Sequence, residues 1–177
     1  MTKLIKMSFL AALISVFSLA SLASGETQNR FSVTEIEIEE GIAQIVLNNS
    51  IEIKSIELVV TSSGTELNLP TGVEIQDKHL EESIIRAIES GEPSEEKTKS
   101  IRYKVTELLC SEENKEYFTA RVVFNDSLFI ECQIMEAKKG PWILWTKDFK
   151  IINSTFRKIL EKSVIAKYKE KRSGENE

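Results

Sequence analysis

The feature that most constrains this chain is an internal duplication. Ala120-Arg121-Val122-Val123-Phe124-Asn125-Asp126-Ser127 echoes Ala43-Gln44-Ile45-Val46-Leu47-Asn48-Asn49-Ser50. Tyr103-Lys104-Val105-Thr106-Glu107-Leu108 likewise echoes Phe31-Ser32-Val33-Thr34-Glu35-Ile36, position for position. Lys138-Lys139-Gly140 takes the place of Ser62-Ser63-Gly64. Two copies of one plan in 177 residues leave units of about 60 residues, which bury little core on their own. The two copies are therefore expected to pair within the chain as a pseudo-dimer.

Within the first copy, Phe31 to Ile38 alternates with period two, as a half-buried strand does, with Thr34, Ile36 and Ile38 on one face and Glu35 and Glu37 on the other. Gly41 breaks it, and Ile42 to Leu47 reads as a second strand. Asn48-Asn49-Ser50 is a hairpin signal because Asn tolerates positive φ. Ile51 to Val60 and Glu66 to Leu69 supply two more strands, the last ended by Pro70. Asp77 can cap a helix whose apolar stripe is Leu80, Ile84, Ala87 and Ile88, and Gly91 suits the position just past its end. The second copy repeats this order and closes with a helix opened at Asn153-Ser154. Phe156, Ile159, Leu160, Val164 and Tyr168 are expected on its buried face, with Arg157, Lys158, Lys162 and Lys169 on the other.

The expected fold is α+β: two tandem units, each an antiparallel four-stranded sheet followed by a C-terminal helix. The units span 31–91 and 101–172, joined by a linker at 92–100 without core residues and trailed by a tail at 173–177. Residues 1–25 read as a secretory signal: Lys3 and Lys6, an apolar run from Met7 to Ala23, then Ser21, Ala23, Ser24 and Gly25 at a cleavage site. Export to the periplasm or medium is the first expectation, and an uncleaved N-terminal membrane anchor the second. Export also makes one disulfide between Cys110 and Cys132 possible. If a strand separates theirs they stand roughly 10 Å apart, so buried free thiols are preferred.

Charge is unevenly placed. Residues 26–100 carry 16 acidic and 6 basic side chains, whereas 137–172 carry 3 acidic and 11 basic. The basic half either faces a polyanion or a partner, or neutralises the acidic half. Arg157, Lys158 and Lys162 share one side of the last helix, with Asn153 and Ser154 at its start; together they suit phosphate contacts or a solvated helix face. Trp142 and Trp145, three apart on a strand, point to opposite faces, one into the core. His79 is the only histidine, with carboxylates such as Glu82 but no Cys at ligand spacing, so no metal site is expected. No nucleophile set, Gly-rich phosphate loop or metal-spaced cluster appears, so catalysis, a cofactor and a small-molecule substrate are not expected.

The pattern resembles the stage V sporulation protein G (SpoVG) family of small bacterial septation regulators. Ile152-Asn153-Ser154, Arg157, Leu160, Val164-Ile165 and Tyr168 fall at the family's spacing, and Ile134, Glu136, Gly140 and Trp142 match its strand-turn-strand segment. The first copy matches from Leu47 to Pro70, Gly64 included. The resemblance implies a fold that dimerises, nucleic-acid binding and a regulatory role in septation or sporulation. It adds Lys147 and Lys150, what remains here of the family's basic segment after the fourth strand, to Asn153, Ser154, Arg157, Lys158 and Lys162 as the implied DNA- or RNA-binding set. In the first copy Asp77 stands in place of the family's helix Arg. The alternative expectation is an exported structural or protein-interaction module that kept the fold and lost nucleic-acid binding.

Overall fold

A computed structural model describes residues 30–94, 100–110 and 117–174. Residues 1–25, expected above to be a secretory signal, most of the expected linker and the last three residues of the tail lie outside the described residues. The first half runs β1 (Val33–Glu39), β2 (Ile42–Leu47), β3 (Ile51–Thr61), β4 (Gly64–Asn68), β5 (Val73–Ile75) and α1 (Lys78–Ser90). The second runs β6 (Tyr103–Cys110), β7 (Tyr117–Phe124), β8 (Leu128–Met135), β9 (Trp142–Trp145), β10 (Phe149–Ile151) and α2 (Ser154–Gly174). The class is α+β, with two antiparallel sheets and two helices, one of them C-terminal.

Among the described residues each half therefore carries five strands rather than the expected four. The extra ones, β5 and β10, are three residues long, too short for alternation to reveal. Neither joins its own half. β10 pairs antiparallel with β3, completing the sheet β1-β2-β3-β10 with β4 also on β3. β5 pairs antiparallel with β8, completing the sheet β5-β8-β7-β6 with β9 also on β8. The crossings match bond for bond. Lys54 N–H donates to the carbonyl of Asp148 (2.8 Å), as Glu131 N–H does to Gly72 (2.8 Å). Ile152 N–H donates to Ser50 (2.8 Å), as Gln76 N–H does to Ser127 (3.0 Å).

The turn chemistry explains why both hairpins form alike. Asn48 and Asn49 have φ of 49° and 52°, and Asn125 and Asp126 have 49° and 56°, values that Asn and Asp adopt at least cost among residues with a side chain. Both first strands carry a β-bulge at a threonine, between Val33 and Glu35 and between Val105 and Glu107. The register corrects the position-for-position echo there. Val33 lies against Leu47 and Tyr103 against Phe124, so Tyr103 is the counterpart of Val33, two residues from the match with Phe31. The shared Val-Thr-Glu follows the bulge, not the strand position.

α1 begins at its expected cap, where Asp77 Oδ1 accepts from His79 N–H at 2.9 Å, and ends at Gly91 in the left-handed region (φ 70°). Leu80, Ile84, Ala87 and Ile88 are its buried residues, as the spacing predicts. In α2 the buried residues are Leu160, Val164 and Tyr168, with Phe156 and Ile165 packed partly against the core. Ile159 departs from expectation and is 52% exposed. The four-residue steps from Phe156 to Tyr168 set the stripe, and Ile159 stands about 120° from its centre. One apolar cluster spans both halves, including Ile45, Ile53 and Ile84 from the first and Val122, Ile130 and Leu160 from the second.

Candidate nucleic-acid interface

α2 is fixed by contacts on three sides, and these decide which of its basic residues remain available. Asn153 Oδ1 accepts from the N–H groups of Thr155 (3.1 Å) and Phe156 (3.0 Å), so this residue is the helix cap. Asp77 holds the same place on α1, so within this chain Asp77 corresponds to Asn153 and not to Arg157. Along the inner face, Phe156 packs edge-on against Tyr103 (5.9 Å) and Phe124 (6.3 Å), and Tyr168 against Phe118 (4.9 Å). Tyr168 hydroxyl donates to Glu136, whose Oε1 also accepts from Arg172 Nη1 at 2.5 Å.

Arg157 does not belong with Lys158 and Lys162. Its Nε donates to Glu161 Oε1 at 2.7 Å, and the same oxygen accepts from Trp145 Nε1 at 3.0 Å. A guanidinium and an indole thus share one carboxylate, fastening α2 to β9. Lys150 is also engaged: it faces Glu52 across the β10–β3 pairing, with Nζ 3.8 Å from Oε2. Lys167 and Lys171, one turn apart, donate to the carbonyls of Val105 and Leu108 on β6. Those are groups of an outer strand of the sheet, so the two lysines cover an otherwise open edge. Their spacing next to Val164 and Tyr168 is the signal that would have separated them from the solvent-facing set.

What remains on α2 is Lys158, Lys162 and Lys169. All three are exposed, and none has a hydrogen bond or ion pair among the described residues. At about 100° per residue they fall within an arc of about 40° on the side opposite Leu160, Val164 and Tyr168. Sequence reasoning placed Lys169 on this face but left it out of the binding set. Ser154 is exposed at the first residue of α2, and Lys147 is exposed in the turn between β9 and β10. Of the seven residues implied by the resemblance, Lys158 and Lys162 lie on the open arc of the helix, Lys147 and Ser154 are exposed nearby in sequence, and Asn153, Arg157 and Lys150 have partners within the fold.

Trp142 is 45% exposed, whereas Trp145 packs against the core, as opposite-facing strand positions require. Cys132 is a free, buried thiol. Burial pushes its pKa up to about 12, with the negative charge of Glu161 adding to the effect. β7 does lie between the strands of the two cysteines, and the side chain of Cys110 is outside the described residues. Among the described residues no group of His, Cys, Asp and Glu is placed to hold a metal, and no helix is long and apolar enough to cross a membrane. A cleft of about 350 Å³ beside α1 is lined by Arg30 and Arg86 but also by Asp77 and Glu92, so it offers no net charge to an anion.

No protein-family model matches the chain, and neither does any curated protein or solved structure.

Proposed function

We propose that this chain is a non-enzymatic regulatory protein of SpoVG type that binds DNA or RNA through the outer face of α2. In this reading the two halves are tandem SpoVG-like units folded as an intramolecular pseudo-dimer. The reciprocal crossing of β5 and β10 supports that pairing. The observation that carries the binding reading is the arc of Lys158, Lys162 and Lys169, three unpaired ammonium groups facing solvent. Lysine is a flexible point charge, so this surface suits phosphates of the backbone and not the edges of bases. Binding is accordingly expected to be insensitive to sequence. The site comprises Lys158, Lys162 and Lys169, with Lys147 and Ser154 at its margin.

The test is binding of the full chain to labelled duplex DNA and to single-stranded RNA over a salt series. Three phosphate contacts give a slope of log affinity against log salt of about −2.7 on duplex and about −2.1 on single strands. A slope near zero, or no binding at low salt, rejects the reading.

A second reading is an exported protein-interaction module. Ile159 at 52% exposure lies beside Lys162 on α2, and Ile152 is 43% exposed just before the helix. An apolar pair set among lysines suits an acidic protein surface with an apolar centre. Export is part of this reading and rests on the N-terminal apolar run. Cell fractionation separates the two: nucleic-acid binding requires the chain in the cytoplasm, and the module reading requires it outside.

A further inference from the structure

The two crossing strands have the same apolar pattern. Val73 and Ile75 of β5 lie against Ile130 and Leu128, and Phe149 and Ile151 of β10 lie against Ile53 and Ile51. The hairpin turns make Ile51 and Ile53 the counterparts of Leu128 and Ile130, so each strand meets an equivalent apolar edge. Hydrophobic patterning therefore does not tell β5 from β10. Nor does it tell the other half of the same chain from the matching half of a second copy. The middle residues do differ: β5 carries Glu74 and β10 carries Lys150.

Each middle residue meets the opposite charge where it lands. Lys150 lies directly across from Glu52. The Glu52 side chain is only 11% exposed, and its Oε1 accepts from Gln44 Nε2 at 2.8 Å and lies 3.7 Å from Lys54 Nζ. Glu74 lies across from Phe129 and forms an ion pair with Arg121, whose guanidinium sits 5.2 Å above the Phe129 ring. Arg121 and Gln44 hold equivalent positions on β7 and β2, as do Phe129 and Glu52 on β8 and β3. The sign is therefore inverted between the two landing sites.

Exchange between like halves of two chains reverses this arrangement. A first half joined to a first half sets Glu74 opposite the buried Glu52, twice per dimer. That carboxylate keeps Lys54 but loses Lys150, and its Oε2 has no hydrogen-bond partner even in the native pairing. A second half joined to a second half sets Lys150 opposite Phe129 beside Arg121, with Glu131 as the nearest carboxylate along β8. Like charges directly across a strand pair oppose pairing, and burial strengthens the effect.

We propose that Glu74 and Lys150 act as a charge code that selects the chain's own other half over the like half of a second copy as the strand-exchange partner. It rests on the reading of the halves as paired units. Its readout is mass, so it stands or falls separately from nucleic-acid binding.

The experiment compares the mass in solution of the full chain and of the Glu74→Lys, Lys150→Glu double variant across a hundredfold range of protein concentration. The wild type is expected at 20.1 kDa throughout. In the double variant like halves become complementary, and species of twice that mass or more should grow with concentration. A double variant that stays at the wild-type mass overturns the proposal, as does a wild type that itself multimerises. If the double variant does not unfold cooperatively, Lys150→Gln decides, because it removes the Lys150 half of the code without adding repulsion. A dimer fraction raised severalfold over wild type supports the proposal, and an unchanged fraction overturns it.

Discussion

Asn48 and Asn125 make the same hydrogen bond at the same place in the two halves. Asn48 Oδ1 accepts from the N–H of Ser32 at 2.9 Å, and Asn125 Oδ1 accepts from the N–H of Arg102 at 2.8 Å. Both residues have φ of 49°, and each amide nitrogen Nδ2 is buried without a partner. Each N–H in turn donates to the carbonyl of the residue it holds, at 3.1 Å for Asn48 and 3.0 Å for Asn125. One side chain thus sets the hairpin turn and ties in the chain entering the first strand.

Two effects are therefore separable at Asn125. Changing it to Ala removes the bond and, with it, the side chain that lets Asn tolerate the left-handed region, for a combined loss of about 2–3 kcal/mol. Asn125→Gly keeps the backbone conformation and is expected to cost about 1 kcal/mol. Denaturant unfolding checks both values, and equal losses in the two variants would mean that backbone strain plays no part.

Alkaline pH is expected to destabilise the fold through Cys132 and Tyr168. Burial raises both pKa values, for Cys132 from 9.0 to about 12, and for Tyr168 in the same direction with its hydrogen bond to Glu136 adding to the rise. Each folded-state group holds its proton longer than the unfolded one. The contribution is complete below the unfolded values and is lost as pH rises from about 9 towards 12. Melting temperatures between pH 8 and pH 11 should fall, and less steeply in Cys132→Ala. Parallel curves for the variant and the wild type would exclude the thiol as a source.

Glu161 is expected to control both a tryptophan and an arginine. Glu161→Ala removes the acceptor of Trp145 Nε1, at a cost of about 1 kcal/mol, with a few tenths more from the exposed ion pair. It also frees Arg157. If α2 binds phosphates, the variant should bind nucleic acid more tightly and with a steeper salt slope, by close to one contact. Tryptophan emission reports the first effect and the salt series the second. Unchanged emission would show that the indole bond does not hold the ring in solution.

The two hairpins were legible because turn residues with positive φ and period-two strands leave direct marks: Asn48-Asn49, Asn125-Asp126, and the alternation around Ile45 and Val122. The crossings were not, because Val73–Ile75 and Phe149–Ile151 each show only two apolar positions, and pairing partners are a tertiary property. The echo of Val-Thr-Glu was legible but misleading, since it marks a bulge whose place shifted by two residues. Helical spacing identified the buried stripe of α2 but grouped Arg157 with Lys158. Arg157 is occupied by Glu161 four residues on, a spacing open to view in the sequence. Lys167 and Lys171 are occupied by carbonyls of β6, invisible in one dimension, and among the described residues Lys158, Lys162 and Lys169 have no such partner.

The most direct test of the binding surface is a pair of charge reversals compared at fixed low salt. Lys158→Glu, Lys162→Glu and Lys169→Glu together should abolish binding to duplex DNA and to RNA while leaving thermal stability within about 1 kcal/mol of wild type, as for other exposed positions. Reversal of Lys138 and Lys139, equally basic and without an ion pair among the described residues but on the β8–β9 turn, should leave affinity unchanged within about threefold, since the proposed site is on α2. Equal losses from the two sets would contradict a site on α2, and so would undiminished binding by the triple variant.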